Sequence, residues 1–574
     1  MIHALISWAV HNRLVVILYT LSIVAVGAYS FFNINVEAYP DPAPAIIEVI
    51  AQYPGASAEE VERQVTIPLE IALAGMPGLD YCRSKSLFGL SHLRNQFDYG
   101  VDYFRSRIEV LNRLNQVDLP PGVKPLIAPT SPTGEIYRYV INSPRDALGR
   151  DVYSLHDLKS LNDWKLEKEF RRVQRIADVV SFGGAVKRYE VQPDPSRLLQ
   201  YGVTFEQLEN AITESNSNVG GDYLRQGDTV QAVRGLGLIG AGQDPITQLK
   251  PNMDPKAAAQ QLRREEDRRL REIRQIVLSA TNNVPIKISD VVEGGRHAST
   301  NPDDRHGVVV GSHTRTGRVA ASLPKLDQDG EQLTINGERV WDDREDVVEG
   351  IVLLRKGEKS LPALADVREK VKQLNEPGQL LPGVTLETIY DRTNLIDLTT
   401  TTVRENVLVG IVLVVIILLV FLNDTRSALI VAVNIPLALL FAFATLYILG
   451  KSTNLLSLGA VDFGIIVDSS VIMVEAIYRR LSSGEDAELP LADRILRSSG
   501  EVERSLFYSQ LIIICALLPL FTMTGPEGQI FAPMADAYAF ALGGALLFAL
   551  TLSPVLCRIF MQNISHAKDN FLVR

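Results

Sequence analysis

Long apolar runs at two places in the chain decide what this sequence can fold into. One run begins near the N-terminus, and the others follow residue 403, whereas the long middle is polar, charged and rich in Gly and Pro. A helix that crosses a bilayer needs about 20 predominantly apolar residues. Six runs are long enough: Leu14–Phe32, Val403–Leu422, Ala428–Leu449, Leu455–Tyr478, Leu506–Thr524 and Phe531–Phe560. The sequence therefore predicts an α-helical membrane bundle of about six spans and a large soluble region.

The first apolar run resembles a signal peptide in outline, because Arg13 precedes it and no acidic residue does. The apolar part of a signal peptide is only about 7 to 15 residues long. Leu14–Phe32 is longer than that and can cross a bilayer. We therefore expect residues 1–32 to be an uncleaved transmembrane anchor.

Basic residues beside the predicted spans indicate the orientation of the chain. Arg13 precedes the first span, Arg426 separates the second from the third, and five arginines follow the fourth: Arg479, Arg480, Arg494, Arg497 and Arg504. Lys and Arg concentrate in cytoplasmic loops. We expect residues 33–400 to lie outside the cytoplasm, 401–560 to form a five-helix bundle and 561–574 to be a cytoplasmic tail. Lys451, on the outer side, is an exception to this pattern.

The soluble region begins with a pattern of alternating strands and helices. Ile46–Tyr53 is β-rich, Pro54-Gly55 predicts a turn, and Ser57 with Glu60 predicts a capping box before a helix. A hairpin or bent strand over Leu79–Tyr99 and a helix over Val101–Gln116 follow. This order is typical of a ferredoxin-like split βαβ unit.

A second α+β module is predicted from residue 135 onward. The strand Glu135–Ile141 precedes a charged helix over Leu155–Val173 and a strand near Asp178–Ser181. We expect Tyr189–Gln192 to be the partner of that last strand, leading into another helix. Two related α+β modules are therefore expected in the external region, as porter subdomains with a docking subdomain.

Two stretches look like excursions from these modules. Residues 252–275 are dense in Arg and Glu, and residues 296–342 are polar and contain several glycines. Solvated surface insertions are the favoured interpretation over binding segments. His297, His306 and His313 in the second stretch are of a ligand type suited to a transition metal, but their spacing matches no tight metal motif. A mobile polar loop is the alternative that we favour there.

Overall charge and motif content exclude several classes of function. The net charge of -10 disfavours nucleic acid as a partner, because phosphate binding needs clustered Lys and Arg. We find no phosphate-binding loop, nucleophile elbow or spaced metal-ligand motif, so we do not expect an enzyme. The three cysteines are too few for a disulfide framework.

The fourth predicted span carries three acidic residues, Asp462, Asp468 and Glu475. An acid at the centre of a spanning helix costs about 2.5 to 3.5 kcal/mol on insertion scales, so such residues normally face a bundle interior or a water path. At about 100° per residue, Asp468 and Glu475 fall within roughly 20° of each other, and Asp462 points about 120° away. This arrangement predicts a proton relay. A structural role, bonding neighbouring helices or a cation, is the alternative.

Small residues beside these acids permit close packing of a neighbouring helix. Gly464, Ser469 and Ser470 are of the kind found where membrane helices approach closely. The two serine hydroxyls are also able to hold water. We therefore expect these three residues to shape a packed or hydrated path beside the acids.

With these acids in its fourth span, the chain resembles a known family, the resistance-nodulation-division exporters, and most closely their heavy-metal efflux branch. The signature of that branch in the fourth span is similar to the run from Asp462 to Asp468, with Glu475 following. Further matches lie along nearly the whole chain: Tyr53-Pro54-Gly55-Ala56, Asp346–Leu353, Tyr390-Asp391-Arg392-Thr393 and Leu552–Cys557. Drug exporters of the same superfamily carry adjacent aspartates, whereas here Ser469 follows Asp468.

The resemblance implies a trimeric pump of the bacterial inner membrane that uses proton entry to export heavy-metal cations and needs no cofactor. Asp462, Asp468 and Glu475 would be the acids that translocate protons or cations. A periplasmic adaptor protein and an outer-membrane channel would be its partners. Family members contain two homologous halves, and this chain resembles the N-terminal one. We therefore expect a separately encoded C-terminal half, or a split or truncated product.

Two other functions remain open from the sequence. A half-exporter of drugs or other organic solutes would have the same architecture. A transport-inactive accessory or assembly protein, which keeps a membrane-anchored external domain for protein contacts, is the second alternative.

Overall fold

The computed structural model describes residues 2–34, 36–37, 42–128, 134–250, 252–281, 283–294, 307–312, 317–325, 332–335, 337–422, 424–451, 453–454, 463–483 and 488–561. The chain divides into two compact units. The first comprises Met1–Gly134, Gly357–Pro362 and Arg392–Arg574, and the second comprises Glu135–Lys356 and Ala363–Asp391. Each unit is described below in the order of the chain.

Two helices, α1 (Ile2–His11) and α2 (Arg13–Asn33), begin the first unit. The α2 helix coincides with the anchor predicted over Leu14–Phe32. A two-residue strand, β1 (Val36–Glu37), follows it.

A four-stranded antiparallel sheet forms the first α+β module. Its elements are β2 (Ile46–Gln52), α3 (Ala58–Val61), a π-helical turn (Glu62–Thr66), α4 (Ile67–Leu73), β3 (Leu79–Leu87), β4 (Leu90–Phe97), α5 (Tyr103–Leu114) and β5 (Pro125–Ile127). The strand order is β3-β4-β2-β5. The predicted capping box is present, because Ser57 N–H donates to the Glu60 carboxylate at 2.8 Å and Glu60 N–H donates to Ser57 Oγ at 3.3 Å.

The core of this module lies on one face of the sheet. Alternate strand residues such as Val49 and Leu93 are buried against Leu69 and Val110 from the helices. Side chains on a strand point alternately to opposite faces, so each strand contributes every second residue to that core.

The second unit starts with β6 (Glu135–Asn142), α6 (Leu155–Leu161), a π-helical turn (Asn162–Leu166), α7 (Glu167–Arg171) and β7 (Ile176–Gly183). The chain then leaves this sheet for more than 160 residues. That excursion contains β8 (Lys187–Val191), α8 (Pro195–Tyr201), α9 (Phe205–Ser215), β9 (Val219–Gln226), β10 (Thr229–Gly235), two 3₁₀ turns (Ile239–Gly242 and Pro245–Gln248), α10 (Pro255–Arg274), β11 (Val277–Thr281), β12 (Val284–Lys287), α11 (Ile288–Val291), β13 (Val308–Ser312), β14 (Ala321–Pro324), β15 (Thr334–Ile335), β16 (Glu338–Arg339) and β17 (Trp341–Arg344).

The chain returns to the sheet with β18 (Val348–Leu354), α12 (Ser360–Leu374) and β19 (Thr385–Asp391). The order of this second sheet is β19-β6-β18-β7, and all of its pairings are antiparallel. Every residue of β18 is buried. A close contact explains Gly350 in this strand, since a Cβ there would lie 2.1 Å from the ring of Tyr139 on the neighbouring strand.

The prediction that Tyr189–Gln192 pairs with the strand near 178–181 is wrong. The β7 strand pairs with β18, and β8 pairs with β13 in a separate two-stranded sheet. Gly183 and Gly184 both adopt positive φ, at 71° and 68°, and turn the chain away from the sheet. The strand β18, from far along the chain and buried along its whole length, then lies between β6 and β7, because it buries more apolar surface there than β8 would.

The prediction that residues 252–275 are a solvated surface excursion is also wrong for one face of that stretch. The α10 helix buries Ala258 and Ala259 in the core of the second module, and Leu270 and Ile273 in a second apolar cluster. Its Arg and Glu residues lie on the remaining faces. The charge density of the sequence concealed this small apolar stripe.

The helix bundle of the first unit is completed after residue 391. It contains α13 (Arg392–Leu422), α14 (Thr425–Ile448), α15 (Phe463–Ser482), α16 (Leu491–Ala516), α17 (Leu518–Thr522), α18 (Gly525–Leu550) and α19 (Leu552–Phe560). The short strand β20 (Thr453–Asn454) pairs in parallel with β1. Helices pack closely where glycines allow it: a Cβ on Gly27 would lie 2.6 Å from the Leu440 carbonyl oxygen.

Among the described residues, four helical segments are long and apolar enough to cross a membrane: Arg13–Asn33, Thr425–Ile448, Leu491–Thr522 and Gly525–Phe560. The other two predicted spans fall on α13 and on the described part of α15. The structure therefore supports a membrane bundle and four of its spans by length and composition.

Candidate functional site

Two of the three predicted relay acids lie on α15. Asp468 and Glu475 are seven residues apart on this continuous helix, so they share one face, and both are exposed on the described chain. Asp462 lies outside the described residues. The helix face that carries both carboxylates is therefore not covered by the described chain, and the two residues are about 10 Å apart along the helix axis.

The small residues predicted beside the acids divide between two environments. Ser469 and Ser470 are fully buried, whereas Gly464 is exposed. Neither serine Oγ has a hydrogen-bond partner within the described part of the chain. The α15 helix thus exposes its carboxylates and buries two hydroxyl groups that lack partners.

The neighbouring helix α16 has an unusual buried stripe that the sequence analysis did not identify. Residues at a spacing of three or four face inward, and most of them are polar: Ile495, Ser498, Ser499, Glu503, Leu506 and Gln510. The outward face carries large apolar side chains such as Ile512 and Leu511. The signal was present in the sequence as polar residues at helical spacing, in a stretch that also carries several exposed charged residues.

One member of this stripe is connected to the N-terminal helix. His3 of α1 lies 3.2 Å from Glu503, measured from the imidazole Nδ1 to the carboxylate Oε2. The His3 side chain is 59% exposed, whereas that of Glu503 is only 9% exposed. A titratable group in contact with solvent is therefore hydrogen-bonded to a buried carboxylate.

Elsewhere in the bundle, polar side chains occur in pairs. Asn434 of α14 donates from Nδ2 to Ser553 Oγ of α19 at 2.7 Å, and both residues are buried. Lys451, just after α14, forms an ion pair with Asp536 of α18. This pairing neutralises the basic residue that was the exception to the charge pattern of the loops.

The second unit contains a cavity of about 390 Å³ lined by α6, the following π-helical turn, β8 and α10. Lys187 in its wall is 2.7 Å from Glu266 and 3.3 Å from Asp157. Burial alone would lower the pKa of Lys187, but the two carboxylates outweigh burial and raise it. The charged groups of the wall thus neutralise one another.

The second sheet holds a buried carboxylate on β18. Glu349 lies 3.5 Å from Arg138 of β6, measured between Oε1 and Nη1. Burial raises the pKa of the Glu349 carboxyl, and the Arg138 guanidinium opposes this effect without cancelling it.

Within the described residues, no group of three or more His, Cys, Asp or Glu side chains is arranged to hold a metal ion. The weak metal candidates His297, His306 and His313 all lie outside the described residues. The parts of 296–342 that are described include β13, which pairs with β8, and short antiparallel pairs of strands.

An apolar helix bundle that carries carboxylates, in one chain with large α/β modules, is typical of the class of membrane transporters. Residues 5–307 and 323–574 match the AcrB/AcrD/AcrF family, and the chain belongs to that family of resistance-nodulation-division transporters. The resemblance seen in the sequence is thereby confirmed.

Similar proteins come from the heavy-metal branch. The cation efflux system protein CzcA of Alcaligenes sp. (strain CT14) is 33% identical over all of this chain and 49% of its own length. The cation efflux system protein CusA of Escherichia coli (strain K12) is 31% identical over all of this chain and 50% of its own length. A crystal structure of a heavy metal efflux pump is 34% identical with a TM-score of 0.74, covering 97% of this chain and 48% of the other. The chain spans about half the length of these relatives and corresponds to their N-terminal half.

Proposed function

We propose that this chain is the N-terminal half of a proton-coupled exporter of heavy-metal cations. The names of the relatives support the substrate class, since one of them is a cobalt-zinc-cadmium resistance protein. In this proposal the chain is not an enzyme, needs no cofactor and is driven by the proton gradient. Asp462, Asp468 and Glu475 carry the protons or the cation.

The open carboxylate face of α15 is the observation that carries this proposal. Asp468 and Glu475 are exposed on the described chain, although α15 lies in a bundle of apolar helices. Each acid facing lipid would cost about 2.5 to 3.5 kcal/mol on insertion scales. A second set of helices that covers this face removes the cost and creates an enclosed site. A separately encoded C-terminal half is the natural source of that cover.

The full arrangement that we propose has six spans, of which α13 and α15 are the second and the fourth. Residues 33–400 lie in the periplasm of a bacterium as ferredoxin-like porter subdomains with a docking subdomain, and the bundle lies in the inner membrane. The pairing of Lys451 with Asp536 supports this orientation, because a neutralised lysine has little influence on topology.

A protruding hairpin supports self-assembly into a homotrimer-like complex. All residues of β9 and β10 are exposed, including apolar side chains at Val219, Tyr223, Leu224 and Val230. Exposed apolar strands of this kind are protein interaction surfaces or aggregation sites in an isolated chain. A periplasmic adaptor protein and an outer-membrane channel complete the proposed complex.

The test uses inside-out membrane vesicles in which the chain is expressed together with a C-terminal half. Addition of Zn²⁺, Co²⁺ or Cd²⁺ is expected to dissipate an imposed pH gradient, measured with a pH-sensitive dye. Asp468→Asn and Glu475→Gln are expected to reduce this rate by roughly 10²-fold or more, the contribution of a positioned proton-transfer group. Glu501→Gln is the matched control, because Glu501 is exposed and paired with Arg480.

Three other results are possible in this experiment, and each of them would contradict one part of the proposal. Unchanged dissipation in Asp468→Asn would rule out the relay. Dissipation by organic cations but not by metals would instead favour an exporter of drugs or organic solutes. Stable assembly with the other half without any transport would favour an accessory protein.

A further inference from the structure

The buried stripe of α16 is polar both before the predicted span that begins at Leu506 and at Gln510 within that span. We call Ser498, Ser499, Glu503 and Gln510 the polar seam. These four residues are at most 7% exposed, and they alternate at helical spacing with the apolar Ile495 and Leu506. In a spanning helix, polar residues that face the bundle interior mark ion pathways or water-filled cavities.

The clearest evidence for water in the polar seam comes from Gln510. Its side chain is 1% exposed, and neither its amide oxygen nor its amide nitrogen has a partner among the described residues. The Oγ atoms of Ser498 and Ser499 also lack partners there, as do those of Ser469 and Ser470 on α15. A buried amide without hydrogen bonds destabilises the folded chain, because it has lost its bonds to water and gained none in return. Buried polar groups in such number are normally satisfied by ordered water.

The seam reaches solvent through His3. Glu503 lies about 10 Å along the helix axis from Gln510, a gap that a few water molecules can bridge. At its other side the Glu503 carboxylate lies 3.2 Å from Nδ1 of the His3 imidazole, whose side chain is largely exposed. By the arginine pattern, this end of the bundle is the cytoplasmic one.

The charged groups around this end are engaged elsewhere. Arg480 pairs with Glu501, and Arg494 donates to the carbonyl oxygens of Arg480 and Leu481. Arg558 of α19 donates to the Val10 carbonyl oxygen, and Arg497 and Arg504 are exposed on the outer face of α16. Within the described residues, His3 is the group that is paired with Glu503.

We propose that the polar seam is a hydrated proton path that leads from the level of α15 to the cytoplasm, with Glu503 and His3 as its exit. This proposal rests on the proton coupling proposed above. A proton travels along water beside Gln510 to the Glu503 carboxylate. Glu503 passes it to the unprotonated Nδ1 of His3 in its Nε2–H tautomer, and the resulting imidazolium releases the Nε2 proton to bulk water. Exchange with bulk water then returns the imidazole to the Nε2–H tautomer. The number of protons on each group is unchanged after one cycle.

Cysteine labelling tests the hydration of the seam without any need for transport. In a full-length variant without Cys82, Cys515 and Cys557, Gln510→Cys is compared with Leu511→Cys, whose position is 43% exposed on the outer face. A charged, membrane-impermeant methanethiosulfonate reacts with the thiolate, which forms only where water reaches the sulfur. We expect Gln510→Cys to react about tenfold or more faster in inside-out vesicles. Equal rates in two variants that both purify as monodisperse protein would overturn the hydrated path.

Variants at Glu503 test the exit separately. Glu503→Gln keeps a hydrogen-bonding partner for His3 but cannot exchange a proton, so a mere anchor for α1 would be preserved. We expect it to slow metal-driven dissipation of the pH gradient by about tenfold and to change the pH profile of that rate. His3→Gln is expected to change the rate and its pH profile in the same direction, and Glu501→Gln is the control with the same loss of charge as Glu503→Gln.

The results distinguish failure of the exit from failure of the coupling. If Glu503→Gln matches Glu501→Gln in rate and pH profile while Asp468→Asn is inactive, the exit is wrong and the coupling stands. If Asp468→Asn is fully active, the proposed coupling itself is wrong, whatever the labelling of Gln510→Cys shows.

Discussion

Buried polar side chains of α14, α18 and α19 form pairs between helices, whereas most of the buried polar side chains of the neighbouring α15 and α16 have no partner in the described part of the chain. On the paired side, Asn434 bonds Ser553 and Lys451 bonds Asp536 across helices. On the unpaired side, Gln510 and four serine hydroxyls are buried with no partner among the described residues. Polar groups that only join helices satisfy one another. Groups that line a water path are satisfied by solvent, so this difference is the one expected if the polar seam is the proposed pathway and the paired helices are its scaffold.

The largest expected effect on stability comes from breaking the ion pair of the paired side. Lys451→Met leaves the nearly buried Asp536 without its partner, and we expect a loss of about 1 to 2 kcal/mol, reduced because the lysine side chain is 44% exposed. The measurement is thermal unfolding of the purified chain in detergent. The double variant Lys451→Met/Asp536→Asn should recover most of the loss. An unchanged midpoint in the single variant would show that the pair contributes nothing.

A smaller effect is expected at the neutral pair. Asn434→Ala removes the bond to Ser553, and interhelical hydrogen bonds of this kind contribute about 0.6 kcal/mol on average and up to about 1.7. We expect a loss of about 1 kcal/mol in the same unfolding experiment. A double-mutant cycle with Ser553→Ala isolates the pair, and strictly additive losses would contradict a direct interaction.

The smallest expected effect tests most directly whether the polar seam contains water. Gln510→Leu should change stability by no more than about 0.5 kcal/mol, because a hydrated amide has no unsatisfied groups to lose. If the seam were dry, the same substitution would remove a buried amide without partners and stabilise the chain by about 1 to 3 kcal/mol. Leu506→Gln, at an apolar position of the same stripe, is a control that should destabilise the chain in either case.

Local features of the fold were predictable from the sequence. The capping box at Ser57 and Glu60 depends on residues three apart, and the structure contains it. The common face of Asp468 and Glu475 follows from helical geometry alone. The predicted spans at Leu14–Phe32 and Ala428–Leu449 coincide with α2 and α14, because long apolar runs have few alternatives.

Non-local features were not predictable in the same way. The β7 strand chose β18 over the nearer β8 because pairing depends on how much apolar surface each candidate buries in the assembled sheet. The small apolar stripe of α10 was concealed by its charged neighbours. The polar seam was not predicted, because serine and glutamine at helical spacing do not by themselves indicate that a helix face is buried.

The sequence by itself determined that this chain has membrane spans, alternating α+β modules and two acids on one face of a helix, because these properties follow from the length of apolar runs and from helical periodicity. Only the tertiary structure decided which faces are buried. It exposed Asp468 and Glu475, enclosed Glu503 and Gln510, and joined His3 to a residue 500 positions away. The physical reason is that burial and hydrogen bonding depend on neighbours brought together by folding, which no local pattern specifies.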